Sequence, residues 1–312
     1  MRQTAWLERV IRATVALTLL AFLFPAELNA ATSETAQTTF SSPEDAVTAM
    51  VGALRSGPLS SVTKIVGPGS GDWLLSGDEV ADRAAAERFV AAYDARHRIR
   101  SEGASRAVLT VGVDDWPMPV PLVKTGTRWS FDAKAGREEV LARRIGRNEL
   151  DTIQVLKAMA DAQIEYARAD WVGTGELAYA QKFASSPGKK DGLYWPVKDG
   201  EPPSPLGPLV AQAATEGYTT DNLTPYHGYL FRILSGQGSN APGGAFDYVA
   251  KGAMIGGFAI VAYPATYGVS GVMTFLISHD GVVYQKDLGT ATPQLATKMT
   301  RFDPGPGWQK VP

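Results

Sequence analysis

The sequence predicts an α+β protein built from two consecutive helix-then-sheet modules. Helices precede a curved antiparallel sheet in the first, and a long helix precedes an antiparallel sheet of about four strands in the second. Three observations carry this reading. Apolar residues recur at helical spacing through residues 42–100 and again from Ala135, each time ahead of runs rich in β-branched and aromatic residues. Those runs are bounded by Gly, Pro and Asp, which turns require. The second helical stretch carries one apolar stripe, so it buries a single face on a single layer.

The first thirty residues are of another kind. Arg2, Arg9 and Arg12 precede the apolar run Val15 to Phe24, and PAELNAA follows. A positive start, a short apolar core and small residues at a cut near Ala30 or Ala31 predict a cleavable secretory signal over residues 1–30. The apolar run is well short of the ~20 residues that a spanning helix needs. A periplasmic or secreted location is therefore expected, with no membrane span after signal removal. Residues 31–40 are small and polar and read as a flexible lead-in. The chain has no cysteine, which removes disulfides, thiolate ligands and cysteine nucleophiles. Its net charge of −2 gives no electrostatic basis for binding nucleic acid.

Residues 41–133 form the first expected module. Ser42 reads as an N-cap, Pro43 as the first helical residue, and Glu44 and Asp45 as first-turn acids. Val47, Met50, Val51 and Leu54 give that helix its buried face, and Gly57-Pro58 ends it. A second helix stops at Gly67-Pro68, and a third runs through SGDEVADRAAAERFVAAYDARHRIR. RAVLTVGV then alternates as a strand, PVPLVK is extended, and TRWSFD closes a hairpin. Pro117, Pro119 and Pro121 place the middle piece at a sheet edge, with Trp116, Met118, Val120 and Leu122 turned to the core.

Helical spacing resumes at Ala135. Gly146 reads as an interruption, and Asn148 with Asp151 as a fresh, capping-box-like start. Residues 134–147 are thus a connecting helix and residues 148–312 the second module. Leu150, Ile153, Leu156, Ala160, Ile164 and Ala167 form its helical stripe. YHGYLFRIL, AMIGGFAIVAYPA, GVMTFLIS and GVVYQKD are the expected strands. Residues 171–224 between them read as loop, and a connection that long is often functional.

The polar clusters divide into three groups. His279-Asp280 lies in SHDG between two strand-like runs, so it reads as a hairpin turn with positive φ at both central residues. The other histidines, His97 and His227, fall in other elements, which leaves His279 without partners for a metal. The loop SSPGKKDGLYWPVKDGEPPSPLGPL supplies Lys189, Lys190, Asp191, Tyr194 and Trp195, aromatics and bases that stack on a sugar or hold an anion. With Tyr226 and His227 these are the binding candidates; the competing reading is that Tyr194 and Trp195 pin the loop to the sheet. Asp78, Asp82, Asp114 and Asp115 are the candidates for a polar-lined pocket in the first module, although adjacent Asp114 and Asp115 point to opposite faces of a strand. The glycine-rich LSGQGSNAPGGAFDYV lacks the Gly-Lys-Ser/Thr ending of a phosphate loop, and no G-x-S-x-G elbow occurs. No catalytic set, metal or cofactor is predicted.

The blocks SGDEVADR, VGVDDWPMPVPLVK, RRIGRNEL, SPGKKDGLYWP, PYHGYLFRIL, APGGAFDYV and GGFAIVAYPATYGVSGVMTFLISHDGVVYQKDLG resemble the bacterial exported family called domain of unknown function 2950. That resemblance implies an envelope or secreted location and no particular activity. The run from NELDTIQVLKAMADAQIEYA through TFLISHDGVVY is similar to the globular half of pilin-like and pseudopilin-like proteins. It implies a helix packed on an antiparallel sheet that ends in an Asp-Gly hairpin. The chain departs from pilins in having a polar helix and a whole module where they carry a hydrophobic assembly helix. The first module is similar in outline to nuclear-transport-factor-2-like or cystatin-like domains. The function expected is a non-catalytic binding or assembly protein that meets another envelope protein or a glycan; the alternative is small-ligand binding or hydrolysis in a cavity of the first module.

Overall fold

Ser42 accepts a hydrogen bond from the Asp45 N–H and Pro43 opens helix α1 (Pro43–Ser56), as its cap and first turn predict. In this computed structural model residues 37–218 and 225–312 are described. The expected signal and residues 31–36 of the lead-in lie outside them. Helices α2 (Ser60–Val66) and α3 (Gly71–Leu74) follow, and Asp78 caps α4 (Glu79–Ala95) by accepting from the Ala81 N–H. The chain then leaves the helix earlier than its sequence suggests. His97–Ser101 is strand β1, paired antiparallel along its length with β2 (Arg106–Val111). Ladder bonds to a neighbouring strand outweigh the weak helix preference of HRIRS.

Strands β3 (Trp116–Pro117), β4 (Leu122–Thr125) and β5 (Arg128–Phe131) complete an antiparallel sheet of order β1-β2-β4-β5, with β3 beside β2. Met118, Val120 and Leu122 reach the core as expected, but Trp116 is 44% exposed and stacks under the Arg143 guanidinium, 4.2 Å from the ring centroid. The prolines lift β3 off the ladder after two residues, so its first side chain never meets the core.

Helix α5 (Ala133–Tyr166) is a single element of 34 residues, capped by Asp132. It runs through Gly146 without interruption, and Asn148 is a mid-helix residue rather than a new cap. One glycine costs a helix only about 1 kcal/mol relative to alanine. Packing on both sides, through Leu141 and Ile153, exceeds that cost. The buried face is also rotated from the expected stripe: Leu150 is 66% and Ile164 41% exposed. Ile153, Leu156 and Ala160 of that stripe are buried as expected, and Asn148, Thr152, Met159, Gln163 and Tyr166 face inward beside them. Two amides set that rotation. Asn148 donates to the Ser270 carbonyl at 2.8 Å, and Gln163 both donates to and accepts from the Ala180 backbone, at 2.8 and 2.9 Å.

Helix α6 (Gly207–Thr215) lies within the stretch that reads as loop, and α7 (Thr292–Lys298) follows the last hairpin. Beyond α6 come β6 (Tyr229–Leu234), β7 (Gly236–Gln237), β8 (Phe246–Asp247), β9 (Val249–Ala250) and β10 (Ala253–Met254). Strands β11 (Ala259–Pro264), β12 (Met273–Ser278), β13 (Val283–Asp287), β14 (Arg301–Phe302) and β15 (Gln309–Lys310) end the chain. The main sheet has order β15-β13-β12-β11-β6 and is antiparallel throughout. The described protein is therefore α+β, with the long helix laid on the second sheet.

Two hydrophobic clusters form. One gathers α1, α2, the first sheet and Leu141 of α5; the other gathers α5 from Ile153 onward, the second sheet, Leu193 and Trp195. The SHDG segment is a hairpin bend, as expected, but not a two-residue primed turn. Residues 278–282 connect the paired Ile277 and Val283, and only Gly281 there has positive φ, at 72°. The Ser278 carbonyl accepts from the Gly281 N–H at 2.9 Å, so an ordinary turn is followed by one left-handed glycine.

The glycines of α5 make opposite predictions. A Cβ at Gly146 would meet nothing within 4 Å, so Gly146→Ala is expected to raise unfolding stability by about 0.5–1 kcal/mol. A Cβ at Gly136 would lie 2.8 Å from the Val120 Cα, so Gly136→Ala is expected to lower it by about 1–3 kcal/mol. Urea unfolding of both variants checks the pair, and a destabilised Gly146→Ala would mean that the helix is broken there.

Candidate functional site

The structure regroups the candidate residues. Asp78, at the start of α4, reaches the segment that carries Tyr226 and His227, and Asp82 lies one helical turn further on. Asp78 is only 3% exposed. Its Oδ2 accepts from the Tyr218 hydroxyl at 2.9 Å and the Gly228 N–H at 3.0 Å, while Oδ1 caps α4. One carboxylate thus starts a helix and ties down a segment 150 residues further along the chain. His227 has φ 50° and Gly228 φ 74°, the left-handed turn that aims the Gly228 N–H at Asp78. Only glycine fits at Gly228, because a Cβ there would come 2.7 Å from the Asn148 amide.

The His227 ring lies between two carboxylates. Nδ1 is 3.8 Å from Asp151 of α5 and Nε2 is 3.5 Å from Glu216. The ring also lies tilted at 48° against Tyr226, with centroids 4.1 Å apart, and meets Tyr218 edge-on. The Tyr226 hydroxyl is buried, with the Glu216 carboxylate as its polar neighbour among the described residues. Burial raises the Tyr218 and Tyr226 phenols well above the ordinary tyrosine value; the negative charge of Asp78 adds to it at Tyr218 and that of Glu216 at Tyr226. Both hydroxyls therefore keep their protons across the physiological range.

Next to this cluster a groove of about 790 Å³ opens between α2, the start of α4 and Glu216-Gly217. Leu59, Leu75 and Val80 line its apolar part, and Glu79, Asp82, Glu87 and Glu216 set four carboxylates against the single guanidinium of Arg83. Asp82 lies at the back, accepting from the Ser76 N–H and hydroxyl at 2.8 Å each, with Arg144 of α5 3.9 Å away. Burial raises the Asp82 carboxyl above its usual range, and the Ser76 hydrogen bonds and Arg144 only partly oppose this. Arg144 itself is fixed by donating to the Trp73 and Leu74 carbonyls.

The remaining candidates lie elsewhere. Asp114 is exposed, and Asp115 sits in a turn with φ 50°, paired to Arg96. Neither lines the groove. In the loop 186–208, Asp191 is an internal tie: it accepts from the Lys182 ammonium at 2.8 Å and the Ser186 N–H at 2.7 Å, which hold its carboxyl well below the usual range. Trp195 is 6% exposed and belongs to the second core, against which the half-buried Tyr194 also packs. Lys189 and Lys190 are exposed, with the Lys190 ammonium over the Trp171 and Trp195 rings. His279 faces its neighbour Asp280 at 3.6 Å and Tyr248 edge-on, in different surroundings from His227. Among the described residues no group of three His, Cys, Asp or Glu side chains converges as a metal site. Asp151 and Glu216 approach opposite nitrogens of His227, so they do not share a point in space.

Sequence reasoning missed Tyr218, Glu216, Asp151 and Arg144. None stands in a motif that marks a site, Asp151 having stood out only in an apparent helix start, and the packing of α5 near residues 216–218 and 226–228 brings them together.

The fold and site define an α+β chain of two cores, with a partly apolar groove beside their junction whose charged residues are predominantly acidic. The chain belongs to the family described as "Protein of unknown function (DUF2950)", which matches it over residues 37–311. The resemblance carried by SGDEVADR, SPGKKDGLYWP and the other blocks thus holds. No curated protein and no solved structure matches the chain.

Replacing the buried tie tests its weight. Asp78→Ala removes a helix cap and orphans the Tyr218 and Gly228 donors, so a loss of about 2–4 kcal/mol is expected. Asp78→Asn, which keeps one acceptor oxygen, is expected to lose less. Urea unfolding monitored by circular dichroism ranks the two against the parent.

Proposed function

We propose that the protein is an exported, non-catalytic binding protein whose groove holds a cation-bearing, partly apolar ligand displayed by another envelope protein or a glycan. The export part rests on the N-terminal pattern of arginines, short apolar run and small residues. The single observation that carries the binding part is the groove itself. Four carboxylates against one guanidinium, next to Leu59, Leu75 and Val80, offer an apolar surface and an unbalanced negative field to the same ligand. The half-buried His227, beside Glu216 of the groove, adds a polar group at its edge. A binding role also suits how these groups are held. Asp78 and Arg144 are engaged in holding the backbone, which leaves the groove rim, not its buried ties, to meet a partner.

The sign of the pH dependence follows from Asp82. Burial holds its carboxyl above the ordinary 3.8, so between that value and its own midpoint it stays protonated where an ordinary aspartate is charged, and it becomes charged above that window. Cation affinity is expected to rise as pH increases through the window and to level off beyond it. Asp82→Asn is expected to flatten that rise.

Titration calorimetry with tri-lysine amide, and with its fully acetylated form as control, tests the reading. Tri-lysine is expected to bind, and Glu87→Gln and Glu216→Gln are each expected to weaken it about two- to five-fold, the worth of one solvent-screened charge pair. Equal binding of the acetylated peptide, or no binding at any pH, overturns it.

A further inference from the structure

At the far end of α5 from its cap, two indole rings flank one ammonium group and a tyrosine ring lies beside them. Tyr166 is the last residue of the helix, and Trp171 and Trp195 stand beside it. The two indoles are 5.0 Å apart at 52°, and the Tyr166 centroid lies 6.3 and 6.4 Å from theirs. The Lys190 ammonium sits 5.1 Å from the Trp171 centroid and 5.3 Å from that of Trp195, within the range where a ring face attracts a cation. We propose that Tyr166, Trp171 and Trp195 form a cage for a quaternary ammonium ion, closed in the free protein by the side chain of Lys190.

Lys190 acts here as a stand-in. Its ammonium represents the charged group that the rings accept, and it identifies the chemistry of the ligand. The plug is built to leave. Lys190 is exposed, and its ammonium makes no ion pair among the described residues, because nearby Asp191 is taken by Lys182. Its backbone is held separately: the Tyr166 hydroxyl donates to the Lys190 carbonyl at 2.7 Å. The side chain can therefore swing out while the loop stays in place. The rings are fixed as well, since the Trp171 indole N–H donates to the Tyr166 carbonyl at 2.9 Å and Trp195 is locked in the core.

The electrostatics favour a cation. The cage lies at the C-terminal, negative end of a 34-residue helix. After burial, the charges of Asp191 and Asp170 are what raise the Tyr166 phenol, so both carboxylates project their field onto the cage. Neither is available to clamp a primary amine, because Asp170 is taken up by the Gly173, Thr174 and Gly175 N–H groups and Asp191 by Lys182 and Ser186. A ligand is thus recognised through ring faces and diffuse negative potential. That combination suits a methylated ammonium, which has no N–H donors to satisfy, better than a free amine.

The test uses choline and its neutral isostere 3,3-dimethylbutan-1-ol, with tryptophan fluorescence of the full chain as the readout. In Lys190→Ala, choline is expected to bind about tenfold more tightly than in the parent, which must first expel its own cation, and about tenfold more tightly than the isostere. Trp171→Ala in the Lys190→Ala background is expected to lose choline binding; Trp171 is chosen because replacing core Trp195 threatens folding. The cage is overturned if Lys190→Ala, melting like the parent, leaves the fluorescence unchanged by choline. It is also overturned if the isostere binds equally well, or if Trp171→Ala has no effect. The groove residues take no part, so this outcome is independent of the tri-lysine result.

Discussion

Both hydrophobic cores are built on one uninterrupted helix. At 1.5 Å per residue the 34 residues of α5 extend about 50 Å, and Leu141 serves the first core while Ile153 to Tyr166 serve the second. A helix this long is not held by its own propensity but by what packs on it. Its rotation about its axis is set by buried amides, not by hydrophobicity. Asn148 and Gln163 each find backbone partners in one orientation only, and turning the helix to bury Leu150 and Ile164 would leave those amides unpaired in the interior. An unsatisfied buried amide costs about 1–3 kcal/mol, comparable with fully burying one aliphatic side chain. With two amides set against partial burial of two aliphatics, the polar groups decide.

The same balance explains the junction. Between the cores the chain uses buried carboxylates as ties. Asp78 is satisfied by three neutral donors and Asp82 by Ser76 together with Arg144, so neither charge is left bare. Glu149 does similar work at the start of β12, accepting from the Val272 and Met273 N–H groups at 3.0 and 2.9 Å. Polar ties have fixed geometry where apolar packing is more forgiving. The groove opens beside them because side chains committed to directional bonds cannot also spread to fill space.

Much of the local structure was readable from the chain. The Ser42 cap with Pro43, the stops at Gly57 and Gly67, and the strands around SHDG follow from short-range chemistry acting within a few residues. What was not readable depends on long-range pairing. β1 became a strand because β2 was available to it, and Trp116 was left outside because the prolines cut β3 short. Gly146 and Asn148 imitate a helix boundary in sequence, and only the Ser270 carbonyl, 122 residues away, shows Asn148 to be a tie. The site was half legible for the same reason. Asp78, Asp82, Tyr226 and His227 stand out as residue types, yet they were assigned to two separate candidates. Glu216, Tyr218 and Arg144 carry no local mark of a site, and Asp151 stands out only in an apparent helix start. The loop 186–208 was read for its aromatics, and Trp195 proved to be a core residue whose partners, Tyr166 and Trp171, lie outside that loop.

The long helix also decides how the groove and the cage relate. Arg144 and Asp151 stand behind the groove and its histidine, while Tyr166 forms part of the cage, and all three belong to α5. The 15 to 22 residues that separate them along the helix correspond to about 20–30 Å, further than one small cation can bridge. A continuous helix does not fold back to close that gap. Two small ligands would therefore bind as separate events, each with its own affinity. A single partner that used both places would have to be an extended chain at least as long as that separation, with cationic groups spaced along it. A polymer or an extended peptide meets that requirement of length, and a free metabolite does not.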